Sequence, residues 1–156
     1  MFQFDVRSKH AAVSGLVIGG RVRLKGAVIF PFTGATGYTT FVDDVSAAGT
    51  YARTTTTATI TSANHGLKTG DWVYLDWDLA DSPYQVTVTG TNTFTVTVAS
   101  GGAASGNVTV WYSVLMQADA SNATAYTIVV PADGIVARNG IRVFLPADMH
   151  TTIFYG

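Results

Sequence analysis

Arg21-Val22-Arg23-Leu24-Lys25-Gly26-Ala27-Val28-Ile29-Phe30-Pro31 decides the fold class. Its first five residues alternate strictly, with three cations on one face and Val22 and Leu24 on the other. That is the period of a strand with one wet side. The run continues through Ala27-Val28-Ile29-Phe30, residue types that suit a pleated surface. Pro31 has no N–H for a ladder, so it ends the strand or places it at an edge. Outward from this stretch the same texture predicts strands at Tyr38–Val42, Thr56–Thr61, Trp72–Trp77, Tyr84–Thr89 and Thr93–Val98. Further on it predicts Asn107–Leu115, Thr127–Val130, Ile141–Leu145 and Thr151–Tyr155. Val13–Ile18 reads as a short strand or a turn. No stretch of ten or more residues shows a helical face. All ten acidic residues are Asp, so Glu, a common surface helix former, is absent. The expected fold is all-β, an antiparallel β-sandwich.

Two textures divide the chain. Residues 53–111 are Thr-rich, with Thr54-Thr55-Thr56-Thr57 and Thr91-Asn92-Thr93-Phe94-Thr95-Val96-Thr97-Val98, and include the flexible connector Gly101-Gly102-Ala103-Ala104-Ser105-Gly106. The flanks hold every cation except Arg53 and Lys68. This pattern predicts a small β-barrel-like or β-sandwich module at 53–111, inserted into a discontinuous outer sandwich of 1–52 and 112–156. Two consecutive domains would instead leave about 45 C-terminal residues with too little core to stand alone.

Composition narrows the function. The chain of 156 residues contains no Cys, which excludes disulfide scaffolds, thiolate metal sites and thiol catalysis. Only 12% of residues are charged, against about 25% in ordinary soluble domains. A net charge of −1 is too small for bulk electrostatic attraction to nucleic acid or membrane. A surface so poor in charge invites self-association, so the expected chain is a subunit largely covered by partners. Met1–His10 carries Asp5, Arg7 and Lys9, and Ala11–Ile18 is short and interrupted, unlike an export signal. Synthesis in the cytoplasm is expected, and the sequons at Asn107 and Asn122 then read as chance.

No enzyme signature stands out. The three histidines, His10, His65 and His150, fit no HExxH or HxH spacing, and no Glu is present to act as a base. Each is expected to be structural, with His65 in a turn. Asp71, Asp76, Asp78 and Asp81 cluster, and such oxygen ligands suit a hard cation or a sugar. Alternation nevertheless puts Val73, Leu75 and Trp77 opposite Asp76 and Asp78, which marks the carboxylates as the wet side of a strand. There is no GxSxG elbow and no phosphate-binding glycine motif. No catalytic residue, cofactor or resident metal is expected. The candidate contact residues are Arg21, Arg23 and Lys25, part of a first 25 residues with a local charge of +4. No aromatic interleaves that face, so an acidic protein surface fits it better than stacked bases.

Thr61, His65-Gly66-Leu67, Gly70-Asp71, Val73, Tyr84, Val86 and Thr93-Phe94-Thr95-Val96 match a β module recurrent in tailed-bacteriophage virion proteins. Asp81-Ser82-Pro83 stands where that module usually has Asn-Gly. The outer parts resemble small phage structural proteins, through Arg23–Ile29, Asp133-Gly134-Ile135, Asn139-Gly140-Ile141-Arg142-Val143 and Thr152-Ile153-Phe154-Tyr155-Gly156. Asn139-Gly140 between two alternating runs also predicts a hairpin. The resemblance implies a non-enzymatic virion component. Capsid decoration or cementing is favoured, and its partners would be copies of itself and major capsid or tail proteins. A tail-associated part (adaptor, nozzle or spike) is the structural alternative. A receptor- or glycan-binding module stacking sugars on Trp72, Tyr74 or Trp111 is the alternative of a different class.

Overall fold

A computed structural model describes residues 6–32, 35, 37–79, 82–119 and 124–156. Asp5, Asp81 and Asn122 therefore lie outside the described residues. In chain order the strands are β1 (Arg7–Ala11), β2 (Gly15–Gly19), β3 (Val22–Pro31), β4 (Tyr38–Asp43), β5 (Ser46–Thr54), β6 (Thr57–Thr61), β7 (Trp72–Trp77) and β8 (Ser82–Gln85). They continue as β9 (Thr87–Gly90), β10 (Thr93–Thr97), β11 (Ala104–Trp111), β12 (Val114–Asp119), β13 (Tyr126–Val129), β14 (Ile135–Ala137), β15 (Gly140–Phe144) and β16 (Met149–Tyr155). The fold is all-β, and the strand pairings are antiparallel. Among the described residues no helix is long and apolar enough to cross a membrane.

The chain divides into two compact units, residues 1–44 with 115–156 and residues 45–114. The first holds two sheets. One is ordered β1-β16-β3-β13, with β14 also on β3, and the other β12-β4-β15-β2. Leu24, Ala27, Ile29, Met149 and Ile153 from the former share one buried cluster with Val17, Phe41, Ile141 and Val143 from the latter. Each sheet has an apolar side, and facing the two removes both from water. β3 holds the centre of its sheet because Val22 and Leu24 point inward at 9% and 0% exposure while Arg23 and Lys25 point out. Pro31 closes the strand, as its missing N–H requires.

The second unit is one seven-stranded sheet, ordered β8-β7-β11-β5-β6-β10-β9. It curls until its two edge strands, β8 and β9, are consecutive in the chain. Val86 is the joint, 1% exposed, with its N–H donating to the Asp71 carbonyl and its carbonyl accepting from the Gly70 N–H. The single strand expected over Tyr84–Thr89 is thus broken there, because the chain turns a corner from one edge to the other. The concave side holds Tyr51, Ile60, Val73, Leu75, Phe94, Val96, Val108 and Val110.

The boundaries at 53 and 111 move outward. β5 pairs along its length with β11, from Ser46–Trp111 to Arg53–Ala104, and with β6 on its other side. Ser46–Ala52 therefore belongs to the module. The hairpin expected at Asn139-Gly140 is also absent. β14 pairs with β3, whereas β15 pairs with β4 and β2. The buried Asp43 carboxylate accepts the Arg138 N–H at 3.0 Å, the Asn139 N–H at 2.7 Å and the Asn139 side-chain amide at 3.3 Å. Those bonds turn the chain from one sheet into the other. Gly140 (φ +133) is required because a Cβ there would meet the Ile18 carbonyl oxygen at 2.4 Å.

Candidate functional site

The three cations of the expected contact face differ in what surrounds them. Lys25 Nζ donates to the Asp133 carbonyl at 2.8 Å, and Arg23 Nη1 reaches the same oxygen at 3.5 Å. The Val130 N–H donates to the Lys25 carbonyl, so the loop after β13 is laid along β3. Gly134 (φ +80) permits this, since a Cβ there would meet the Leu24 carbonyl oxygen at 2.4 Å. Arg23 and Lys25 thus present their charge at the surface and also hold that loop. Arg21 is exposed just before β3. With Arg7, Ile18, Gly19, Val22, Tyr155 and Gly156 it lines a cleft of about 430 Å³. Sequence alternation finds the outward direction of these side chains; it has no means of pairing Arg21 with Arg7.

Asp71, Asp76 and Asp78 are not drawn to one point. Asp71 Oδ2 accepts the Lys68 N–H at 2.8 Å and closes the turn before β7. Asp76 and Asp78 are exposed and, with Asn107, Thr109, Ala48, Gly49 and Trp77, line an open groove of about 460 Å³. Among the described residues no three His or Asp side chains gather as metal ligands. Of the aromatics considered as sugar platforms, Trp72 is 51% exposed, but Tyr74 is buried at 6% and is no platform. Tyr74 sits opposite Trp111 across the β7–β11 ladder, and Trp111 is half-buried.

His65 is fixed by the backbone. Its Nδ1 accepts the Leu67 N–H at 3.1 Å, so its Nε2 carries the proton and donates to the Gly90 carbonyl at 3.1 Å. Its ring lies edge-on to Phe94 at 5.3 Å. The His-Gly-Leu motif therefore ties the loop before β7 to the β9–β10 turn. Gly66 (φ +64) and Gly70 (φ +99) supply left-handed backbone within that loop. His10 and His150, 140 residues apart in sequence, meet at the surface with ring centroids 5.2 Å apart.

Asp43 escaped the sequence reading altogether. Its partners lie 95 and 96 residues away, and an Asp-Asp pair at the end of a strand carries no local sign of them. No protein-family model matches the chain, and neither does any curated protein or solved structure.

Proposed function

We propose that this chain is a non-enzymatic structural subunit of a tailed-phage particle, most simply a capsid decoration or cement protein. The observation that carries this reading is how the motif residues spend their polar atoms. His65 and Asp71 bond to backbone of their own module, and Gly66 and Gly70 supply its turns. A module whose most distinctive residues serve its own loops is a scaffold. The surface fits a subunit that works among neighbours. Val13, Val129, Tyr38, Trp72, Phe32 and Leu16 are all exposed, in a chain with few charges. Many copies each making modest contacts would together stabilise a shell. Arg21, beside Arg7 at its cleft, and Arg23 and Lys25 would face acidic partner surface.

The test is a density map of assembled particles, in which the chain is expected at symmetry-repeated positions on the shell. Arg21→Asp should lower its occupancy and make attachment less tolerant of salt. Density at the tail instead would select the tail-associated alternative. Purified protein that hydrolyses polysaccharide or peptidoglycan, and stops doing so with Asp76→Asn, would overturn the structural reading. The groove lined by Asp76, Asp78, Asn107 and Thr109 favours one further reading, a glycan- or receptor-binding module. Glycan-array binding lost in Asp76→Asn without any turnover would select it.

A further inference from the structure

The geometry points to a surface site at which His10 and His150 chelate one borderline divalent transition metal, such as zinc or nickel. The two residues come from strands at opposite ends of the sequence, and the antiparallel register sets them together. His10 of β1 stands opposite Thr152 of β16, and His150 lies two residues along β16 on the same face. Such diagonal neighbours are within reach of one another when the side chains are long.

The arrangement suits chelation in three respects. The ring centroids are 5.2 Å apart with planes at 79°. Two imidazoles on one tetrahedral zinc, each at a Zn–N distance of about 2.0–2.1 Å, place their centroids roughly 5 Å apart. The Thr152 hydroxyl lies 3.2 Å from His10 Nδ1, which orients that ring and leaves Nε2 as the ligand atom. Phe30 and Phe32 pack edge-on against the two rings, at 6.4 Å from His10 and 4.8 Å from His150, and limit their swing.

The charge environment sets the strength and the selectivity. The neighbouring Lys9 ammonium is drawn to the Val17 carbonyl at 2.6 Å, which holds that cation in place on β2. No third His or Asp joins the pair among the described residues, so water completes the coordination shell. Two neutral nitrogen ligands select zinc, nickel or copper over calcium or magnesium. This inference is independent of the virion reading, since it concerns two side chains and one ion.

The test uses tag-free protein of residues 1–156 titrated calorimetrically with zinc chloride and nickel chloride. Saturable binding is expected with either metal, and no heat with calcium chloride. His10→Gln and His150→Gln should each weaken binding at least about tenfold, as loss of one of two ligands requires. Circular dichroism checks that both variants fold. The unmodified protein gives a second readout, in which zinc should slow carbethoxylation of His10 and His150 mapped by mass spectrometry. No heat at millimolar metal, binding that survives the double replacement, or modification rates unchanged by zinc would each overturn the proposal.

Discussion

The two units bury the same kind of strand in different ways. The outer unit faces one sheet against another and draws its core from both ends of the chain, as where β1 pairs with β16. The module at 45–114 bends a single sheet until it covers its own apolar side, and all seven strands come from one continuous segment. Sequence separation is what differs physically. Pairings such as Thr50–Thr61 in the module close short loops, whereas Arg7–Tyr155 joins residues from the two ends of the sequence described. The module should therefore be the faster to fold, and the outer unit the slower.

The largest effect should come from where the chain is cut. A chain of residues 45–114 alone should melt cooperatively. Excising that segment and joining Asp44 to Leu115 through a short Gly/Ser linker should leave a folded sandwich. The entry and exit of the module run side by side, with the Tyr112 N–H donating to the Val45 carbonyl at 3.3 Å. Cutting at 53 and 111 should instead destroy the module piece, because it removes most of β5, the middle strand of the seven. Circular dichroism melts decide the matter. A 53–111 piece as stable as 45–114 would break the comparison.

Next in size are the two largest fully buried side chains, Phe94 in the module and Phe41 in the sandwich, each 0% exposed. Replacing either by Ala should cost about 3–5 kcal/mol through lost burial and the cavity left behind. Scanning calorimetry should show Phe94→Ala lowering only the module's transition and Phe41→Ala only the sandwich's. A single transition that moves equally in both variants would mean the units do not unfold separately.

Polar pins should cost less. Asp43→Ala leaves the Arg138 and Asn139 amides without their acceptor and should destabilise the sandwich by about 1–3 kcal/mol. His65→Ala should have an effect of similar size in the module, through loss of its two backbone bonds. Urea titrations of the two separated units would locate each effect. An Asp43→Ala sandwich as stable as the parent would remove the clamp from the argument.

The smallest effect is alkaline. The Tyr126 hydroxyl donates to the Asp119 carbonyl, and its pKa is raised above 10.0 by burial and by the nearby Asp119 charge. The folded state thus favours the neutral phenol. That stability is complete below pH 10 and is lost as pH rises through the shifted value. Tyr126→Phe should flatten the decline of the sandwich's melting temperature in this range. An identical decline in both proteins would show that other tyrosines cause it.

Much of this architecture was legible locally. Alternation in Val22–Lys25 gave the strand and its outward face, and the Thr-rich texture marked an insert, because side-chain period and composition are properties of neighbouring residues. β5 was missed for a physical reason. Its inward positions are Ala47, Gly49 and Tyr51, small or isolated residues that read as loop. Gly49 is needed there, since a Cβ would meet the Thr61 carbonyl oxygen at 2.5 Å. Strand character in Ser46–Thr54 comes from ladders on both sides, and no propensity encodes those.

Sequence by itself therefore determined the all-β class, the inward and outward faces of β3, the inward Val73, Leu75 and Trp77 of β7, and the presence of a compositionally distinct centre. Tertiary structure alone decided the corner at Val86, the Asp43 clamp that replaced the expected hairpin, the hold of Arg23 and Lys25 on the Asp133 carbonyl, and the meeting of His10 with His150. Each of these depends on which distant strand lies alongside. Pairing register is fixed by the burial of whole faces and by backbone hydrogen bonds available to every residue type, so it leaves little trace in the identity of any one residue.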